Sequence, residues 1–400
     1  MVKRRIAVVT GSRAEYGLLY WLLKTLRDAE NVELQILITG MHLSPFFGKT
    51  IDLIKADGFS IAAEVDLLVD GDTPRAVAKS VGLGVIGFTD ALTTLKPDIV
   101  VGLGDRFELL AAVQAAFFLK IPVAHIHGGE VTTGALDDAV RHAITKFSSL
   151  HFVAAEIYKQ RVIQMGELPH RIFNVGAPGL ENIAKLSLDD RYALENRLNF
   201  KMAKQNFLIV YHPATMANED PIETIDLLFK VLLRFPETHF IVTGSNADDA
   251  GRSICARLIE IQKELSSRMY FSITLGQEAF LSALKLCDLI VGNSSCGIIE
   301  APSMGTPTVN LGARQEGRIR SPSIIDCKLD EDSIYYTIKK ALSSSFQEIV
   351  KRCESPYAQK GFFVAENIAE ILKTYNLELL KQKPFYDIHQ FSNELEGTCS

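Results

Sequence analysis

Cysteine is scarce and irregularly spaced in this chain of 400 residues. Its six cysteines include no C-x-x-C pair, so neither the ligand spacing of a zinc site nor the dense framework of a small disulfide-linked protein is present. We therefore expect reduced thiols, a cytoplasmic location and no bound metal.

A basic surplus and a long hydrophobic run are also missing. The formal net charge of −6 argues against nucleic acid or an anionic membrane as a partner. The most apolar helical stretch, 109–119, has about 11 residues, whereas a membrane span needs about 18. The apolar run 6–9 is too short for the core of a signal peptide. We therefore expect a soluble protein in which any anionic ligand needs a local basic pocket.

What the chain does contain is a regular alternation of short apolar runs and longer amphipathic stretches. Such alternation indicates βαβ units with parallel sheets. Leucines at helical spacing predict a helix over 15–27, and a late helix is predicted over 362–373. The predicted strands are 6–9, 35–39, 99–101, 122–126, 207–211, 240–243, 270–274, 289–291 and 308–311.

One pattern occurs once in each half of the chain. At Asp98 and again at Asp288, an aspartate precedes an apolar run, a glycine-containing loop, a helical stretch and a proline that opens the next strand. We therefore predict two Rossmann-like α/β domains facing a cleft, with ligands at the carboxyl ends of the strands. The first domain is predicted at 1–180 and the second at 181–365. A C-terminal helix and tail, 366–400, is expected to pack back on the first domain.

Two loops of the first half carry charged residues directly after predicted strands. TGSRAEYG (10–17) places Arg13 at the turn into a helix, but it lacks the G-x-G-x-x-G pattern of a dinucleotide site. GLGDRFE (102–108) places Asp105 and Arg106 where an α/β sheet opens to ligand. The alternatives are a solvated turn arginine at position 13 and a helix-capping aspartate at position 105.

A third loop, HIHGGE (125–130), combines two histidines with paired glycines. His125 and His127 lie two apart on a predicted strand, so we expect both side chains on one face. Two histidines with Glu130 and Asp105 are one possible metal-ligand set, and a merely exposed loop is another interpretation. Nothing else in the chain demands a metal, and we expect none.

The helix predicted after this loop carries two charged pairs. Asp137 and Arg141 are four residues apart, as are Asp138 and His142, so each pair shares a helix face. The pairs are typical either of a site or of a helix with surface ion pairs.

The fourth loop, GNSSCGIIEAP (292–302), is made almost wholly of small residues. A helix that starts near Ser295 would present free N–H groups and its positive dipole end to an anion. Ser294 adds a hydroxyl donor, and Glu300 is spaced to accept from ribose hydroxyls. Arg314 follows the next strand, and His212 ends the first strand of this half. These residues of the second half therefore predict a binding site for a diphosphate and a ribose.

Seven motifs resemble, in order, those of the hydrolysing UDP-N-acetylglucosamine 2-epimerases, over about residues 4–370. They are GSRAEYGLL, GDRFE, HIHGGE with DDAVRHAITK, VGAPGL, HPAT, GNSSCGIIEAP and GTPTVNLGARQEGR. The resemblance implies a GT-B type fold and a homodimer or homotetramer. It also implies a reaction without metal or nicotinamide, in which UDP is eliminated across C1 and C2 of the sugar and water adds to the resulting glycal.

The resemblance also implies roles for individual residues. Many members carry Glu where this chain has His127, so the group that takes the C2 proton stays open. The expected catalytic residues are Asp105, His127, Glu130, Asp137 and His212. The residues expected to bind UDP or the sugar are Arg13, Arg106, His212, Ser294, Ser295, Gly297, Glu300 and Arg314.

Three alternatives accompany the expected reaction, which converts UDP-N-acetylglucosamine to UDP and N-acetylmannosamine. The same reaction on a UDP-linked 2,4-diacetamido-2,4,6-trideoxy sugar would feed legionaminic acid rather than sialic acid. A GT-B glycosyltransferase would keep the UDP cradle but need an acceptor. A binding-only sensor of UDP-sugars would not need Asp105.

Overall fold

The computed structural model describes residues 3–45, 48–69, 73–132, 136–212, 220–244, 251–359 and 363–388. Two compact units divide the chain. The first consists of residues 1–130, 137–181 and 359–400, and the second of residues 131–136 and 182–358. Two features of this division were not predicted. A short segment before residue 137 belongs to the second unit, and the chain returns to the first unit at Gln359.

The first unit is built on a seven-stranded parallel sheet of order β3-β2-β1-β4-β5-β6-β7. The central strands are buried along their whole length because helices cover both faces of a doubly wound sheet. The strands are β1 Arg4–Thr10, β2 Val32–Thr39, β3 Ile61–Val65, β4 Ile99–Leu103, β5 Val123–Ile126, β6 Leu150–Val153 and β7 Ile172–Asn174.

The helices of the first unit follow these strands in alternation. Helix α1 shows why: Ser12 and Glu15 form a capping box at its start, and four leucines at helical spacing are buried along its inner face. The helices are α1 Arg13–Arg27, α2 Ile51–Ala56, α3 Pro74–Leu95, α4 Phe107–Phe118, α5 Leu136–Phe147, α6 Glu156–Gln164 and α7 Pro178–Lys185, with α7 crossing into the second unit.

The second unit repeats the architecture with a six-stranded parallel sheet of order β10-β9-β8-β11-β12-β13. Its strands are β8 Gln205–Val210, β9 Thr238–Thr243, β10 Met269–Ser272, β11 Leu289–Gly292, β12 Thr308–Leu311 and β13 Ile324–Cys327. Its helices are α8 Arg191–Leu198, α9 Pro221–Leu232, α10 Gly251–Glu264, α11 Gln277–Leu286, α12 Cys296–Ile299, α13 Ala301–Met304, α14 Glu331–Ala341 and α15 Ser344–Val350. The prediction of two Rossmann-like domains is confirmed.

The repeated aspartate pattern corresponds to a repeated piece of structure. Asp98 precedes β4, where its N–H donates to Arg5 O (2.8 Å) and its carboxylate accepts from Arg5 N (2.7 Å). Asp288 precedes β11 and makes the same two bonds with Asn206, at 2.9 and 2.8 Å. Asp98 therefore joins the beginning of β4 to the beginning of β1, and Asp288 joins the beginning of β11 to the beginning of β8.

The nine predicted strands are all present, with ends that shift by a few residues. Four strands were not predicted: β3, β6, β7 and β13. Three of these lie at or next to a sheet edge and are only partly buried. The late helix, α16, spans Val364–Thr374, and Phe362, where it was predicted to start, lies outside the described residues.

The apolar stretch 109–119 corresponds to α4, a helix of 12 residues, as expected. Helix α3 has 22 residues and, by length and composition alone, is the one described helix long and apolar enough to cross a membrane. Its buried residues Ala76, Ser80, Gly84, Phe88 and Leu92 form a stripe that packs against α4 and the sheet. A methyl group on Gly84 would lie 2.8 Å from the Ala111 side chain. A helix with one such packed face is typical of a sheet-covering layer.

The end of the described chain returns to the first unit. Helix α16 packs against α1 in the first unit's core. Beyond it, Lys383 contacts the Glu167 carboxylate, which also bonds Lys146 Nζ (2.6 Å) and His151 Nε2 (3.1 Å). Phe385 packs against Gly166. We name residues 376–388 the C-terminal strap.

Candidate active site

In the first unit, β1 and β4 are neighbours in the sheet, and the chain continues from them toward opposite sides. Loops diverge at such a switch point and leave a crevice at the carboxyl ends of the strands. Arg13 begins the helix after β1, and Asp105 lies in the loop after β4. Position 106, not Asp105, is the N-cap of α4, so the capping interpretation of Asp105 was wrong.

Arg141 lies at the centre of the charged cluster. Its guanidinium contacts the Asp105 carboxylate and bonds Glu130 Oε2 at 3.3 Å. The side chains of Arg141 and Glu130 are 4% and 2% exposed, whereas that of Asp105 is 21% exposed. Burial alone lowers the pKa of a guanidinium, but Asp105 and Glu130 outweigh it and raise the pKa of Arg141. Asp105 is thus the member of the cluster that solvent, and hence a ligand, can reach.

His127 is held by the second oxygen of Glu130. Its Nδ1 makes a short contact with Glu130 Oε1. The prediction that His127 lies on a strand was wrong, because β5 ends at Ile126 and His127 has φ +68°. This left-handed conformation is uncommon for residues other than glycine and often marks a functional site. The turn directs the imidazole to Glu130 rather than along the sheet.

His125 has a different environment from His127. It is fully buried, with Nε2 2.7 Å from Gly104 O and Nδ1 3.1 Å from Thr145 Oγ1. Burial lowers its pKa to about 3, so it is neutral and supports the loop that carries Asp105. Across the described ranges, no three His, Cys, Asp or Glu side chains are grouped as metal ligands.

The first turn of α5 supplies two more carboxylates. Asp137 is half-buried, and its charge helps raise the pKa of Arg141. Asp138 lies 3.6 Å from His142 Nε2. Asp137 therefore faces the cluster around Arg141, while Asp138 forms the predicted pair with His142. Residues 133–135 of the preceding loop lie outside the described residues.

Buried carboxylates surround Arg106. Its guanidinium makes two bonds to Glu108, at 3.1 and 2.8 Å. Nearby, Glu15 Oε2 accepts from Gly11 N (2.7 Å) and Ser12 N (3.1 Å). Burial raises the pKa of Glu15 to about 7, and Glu108 acts in the same direction against Arg106. Arg106 thus faces Glu108 within the unit.

The second unit has its own switch point, between β8 and β11. His212 follows β8 and is 8% exposed. Burial, and then the charge of Arg314, lowers its pKa to about 3. A neutral imidazole beside an arginine offers a hydrogen bond without added positive charge. Residues 213–215 of the HPAT motif lie outside the described residues.

The small-residue loop joins β11 to two short helices. Ser294 and Ser295 are half-buried ahead of α12, which is only four residues long. Pro302 lacks the N–H that would continue the helix past Glu300, and the chain starts α13 there. Gly297 packs against β12, where Thr308 Oγ1 donates to its carbonyl (2.7 Å) and a methyl group would lie 2.8 Å from Thr308 Cγ2.

Arg314 completes this loop cluster. Its NH1 bonds the carbonyl of Asn293 at 3.1 Å. The cluster brings His212, Ser294, Ser295, Glu300 and Arg314 into one unit, and the cluster around Arg141 brings together Asp105, His127, Glu130 and Asp137.

The comparison with protein families bears on what these clusters do. The model described as UDP-N-acetylglucosamine 2-epimerase matches residues 24–373. The chain belongs to this family. It is therefore a member of a family of UDP-sugar 2-epimerases, as the motifs predicted.

Three relatives are similar along nearly the whole chain. The polysialic acid biosynthesis protein P7 of Escherichia coli is 36% identical over 96% of this chain and 98% of its own. The GDP/UDP-N,N'-diacetylbacillosamine 2-epimerase (hydrolyzing) of Campylobacter jejuni is 37% identical over 97% and 100%. The UDP-N,N'-diacetylbacillosamine 2-epimerase (hydrolyzing) of Legionella pneumophila is 39% identical over 85% and 89%.

Solved structures agree on the fold. The UDP-GlcNAc 2-epimerase from Neisseria meningitidis bound to UDP-GlcNAc superimposes with a TM-score of 0.76 at 18% identity, covering 92% of this chain and 99% of that one. The enzyme of Methanocaldococcus jannaschii in complex with UDP-GlcNAc and UDP gives a TM-score of 0.73 at 20% identity, covering 93% and 100%. The predicted GT-B type of fold is confirmed.

Two kinds of residue were missed by the sequence analysis. Arg141 was recognised only as sharing a helix face with Asp137, although a lone arginine in a motif with three acids, Glu130, Asp137 and Asp138, was a usable signal. Glu15 and Glu108 lie in the two motifs that carry Arg13 and Arg106, but their burial leaves no trace in the sequence.

Proposed function

We propose that this protein is a hydrolysing 2-epimerase that converts a UDP-linked 2-acetamido sugar into UDP and the free sugar epimerised at C2. The observation that carries the proposal is the buried network linking Asp105, Arg141, Glu130 and His127 beside a switch point of the sheet. Such a network supplies carboxylates and an imidazole in fixed orientation, as proton transfer at a carbon requires.

The proposed reaction has two steps. In the first, a base removes the C2 proton, the C2–H electron pair forms the C1=C2 double bond, and the C1–O bond breaks with its electron pair leaving on UDP. In the second, the oxygen of water bonds to C1 and a proton adds to the opposite face of C2. The products are UDP and the sugar with inverted C2.

We assign the removal of the C2 proton to His127. Glu130 accepts from Nδ1 and leaves Nε2 as the basic nitrogen, in the way that a carboxylate orients a catalytic histidine. Arg141 bonds the other oxygen of Glu130 and fixes the orientation of that carboxylate. The pairing replaces, with two side chains, the single glutamate that many family members carry.

Asp105 and Asp137 are assigned to the second step. Asp105 is the partly exposed carboxylate that contacts Arg141, and Asp137 lies in the first turn of α5. One would activate the water that attacks C1, and the other would deliver the proton to C2. General acid–base assistance of this kind contributes about 10²–10⁴-fold.

The nucleotide is assigned to the second unit. Ser294, Ser295 and Arg314 supply donors for the diphosphate, and His212 adds a neutral donor. Glu300 is proposed to accept from the ribose hydroxyls. Charge-assisted bonds of this kind contribute about 1.5–3 kcal/mol each, so a few suffice for micromolar binding. Arg13, half-buried at the start of α1, and Arg106 are proposed to stabilise the departing diphosphate from the first unit.

The substrate has two candidates. The names of the Campylobacter and Legionella relatives, at 37% and 39% identity, favour UDP-N,N'-diacetylbacillosamine. UDP-N-acetylglucosamine, the first choice from the sequence, is supported by a Neisseria meningitidis UDP-N-acetylglucosamine 2-epimerase at 31% identity. We propose the diacetamido sugar as the better substrate and UDP-N-acetylglucosamine as the second candidate.

The deciding experiment uses each UDP-sugar alone in D₂O, without an acceptor. The proposal expects UDP release together with a free sugar that carries deuterium at C2 in the inverted configuration, by proton and phosphorus NMR. A product that keeps its C2 hydrogen would indicate simple hydrolysis. UDP release only with an added acceptor would indicate a transferase, and binding without turnover a sensor. The ratio of kcat/KM for the two sugars selects the substrate.

The role of Asp105 is tested by Asp105→Asn. We expect UDP release to fall by at least about 10²-fold while UDP still binds, because the nucleotide is held by the other unit. Asp90→Asn, an exposed aspartate of α3, is the matched control. Near-normal turnover of the Asp105 variant would remove this residue from the mechanism.

We further propose a cytoplasmic homodimer or homotetramer that works without metal or nicotinamide. The five cysteines within the described residues are reduced thiols, which is consistent with a reducing compartment. On α3, Leu83 and Ile86 are 47% and 64% exposed and would suit an interface between copies. Light scattering on the purified chain tests the oligomeric state, and turnover in the presence of EDTA tests the absence of a metal.

A further inference from the structure

Asn293 lies at the end of β11 and binds the backbone of a neighbouring loop. Its Oδ1 accepts from His212 N at 2.7 Å, and its Nδ2 donates to His212 O at 2.7 Å. The residue is 3% exposed. Just past the end of β11, the side-chain amide therefore makes the pair of bonds with the His212 backbone that a neighbouring strand would otherwise make.

The backbone of Asn293 binds a third loop. Its carbonyl accepts from Arg314 NH1 at 3.1 Å and from Gln315 Nε2 at 2.8 Å. One residue thus joins the loops that follow β8, β11 and β12. These are the loops that carry His212, the two serines and Arg314.

Gly292 explains why the amide reaches His212. It has φ +151°, and a methyl group there would lie 1.9 Å from Val210 O. Only glycine permits β11 to approach β8 so closely at this point. The approach brings the side chain of the next residue against the His212 backbone.

We propose that Asn293 is a positioning residue that holds His212, the adjacent serines and Arg314 in place before the ligand arrives. Groups that are already held in place lose less conformational freedom on binding, so affinity rises without an added contact to the ligand. The inference rests on the proposed binding of UDP by the second unit, but it assigns Asn293 no contact with UDP.

Asn206 offers a chemically matched control at the opposite end of the same sheet. Its Oδ1 accepts from Ala203 N at 2.8 Å, its Nδ2 donates to Ala203 O at 2.9 Å, and it is 2% exposed. Replacing either asparagine by alanine removes the same two bonds from a buried site. Only Asn293 touches the loops proposed to bind the nucleotide.

The experiment compares Asn293→Ala and Asn206→Ala in the full chain. Denaturant unfolding without ligand measures stability, and calorimetric titration with UDP measures Kd. We expect similar losses of stability in both variants. The Kd for UDP should rise about tenfold or more in Asn293→Ala, equivalent to ~1.4 kcal/mol, and stay within about twofold in Asn206→Ala. Turnover should show a raised KM with kcat changed far less.

Several outcomes overturn the inference. Unchanged UDP affinity in a folded Asn293→Ala chain, or equal losses of affinity in both variants, would show that Asn293 is a structural residue only. If Asn293→Ala does not fold, Asn293→Ser, which keeps a shorter polar group at this buried position, should still raise the Kd for UDP; an unaltered Kd for this variant would contradict the proposal. If the unmodified chain fails to bind UDP, the proposed function itself fails.

Discussion

Replacement of Arg141 by methionine is the sharpest test of the first unit's cluster. Methionine keeps much of the side-chain volume but leaves two carboxylates without their shared cation, and one of them, Glu130, is 2% exposed. Removing one partner of a buried ion pair costs about 3–5 kcal/mol, against about 5–15 kcal/mol for the whole stability of a domain. At ~2–4 °C per kcal/mol for a domain of this size, we expect Tm to fall by roughly 6–20 °C.

The matched control for Arg141 is Arg257. It also bridges two carboxylates, Asp226 at 2.7 Å and Glu260 at 2.8 Å, but it does so on the surface. Exposed pairs contribute little because water screens them, so Arg257→Met should leave Tm nearly unchanged. Differential scanning calorimetry of both variants measures the contrast.

A second variant separates the stability lost because a buried carboxylate has no cation from the stability lost because packing is poorer. If the loss comes from the uncompensated carboxylate, Glu130→Gln in the Arg141→Met background should recover part of it, and a double-mutant cycle would report the coupling. Equal Tm values for Arg141→Met and Arg257→Met, or no recovery by Glu130→Gln, would refute the network as described.

Three further outcomes are expected. Burial raises the pKa of Glu15 to about 7, so this acid destabilises the fold as pH rises from about 4.5, its unfolded pKa, to 7. Over that window Glu15→Gln should gain stability relative to the unmodified chain, which denaturant titrations at several pH values measure. The control is Glu223→Gln, at the exposed third position of α9. Gly297→Ala should destabilise the fold through the contact with Thr308 Cγ2. The double variant Gly297→Ala with Thr308→Ser, which keeps the hydroxyl, should unfold near the normal temperature and bind UDP. If it folds but does not bind UDP, Gly297 itself lies against the ligand. His127→Asn should keep the left-handed turn and fold normally, since asparagine tolerates positive φ. The rate of UDP release should drop about 10²-fold or more. An undiminished rate would exclude His127 as the base.

Much of the fold was readable because the central strands of a doubly wound sheet are buried on both faces. The runs that became β1, β4 and β11 are continuous and apolar. The edge strand β3 alternates half-buried and exposed residues and ends on one buried residue, over only five positions, and β7 has three residues. Short, half-exposed strands depend on the strand beside them, which a local pattern does not contain.

The candidate site was readable in its residue types but not in its connections. Asp105 and Ser294 follow strands, and the carboxyl ends of strands are where such folds bind ligands. That Arg141 joins Asp105 to Glu130 depends on how α5 lies against the sheet, a tertiary fact. The positive φ of His127 is equally invisible, because histidine, although enriched at positive φ, adopts it too rarely for the sequence to predict it at one position.

The C-terminal strap has a consequence for the order of events at the ribosome. Gly166 and Glu167 are made before residues 182–358, which form nearly all of the second unit, yet Lys383 and Phe385, which contact them, are made about 200 residues later. At ~5–20 residues per second, the first unit must wait roughly 10–40 s for its last piece. The nascent chain therefore carries an incomplete Rossmann domain throughout the synthesis of the other, and a premature stop after the second sheet would release a polypeptide whose earlier half lacks α16 against α1.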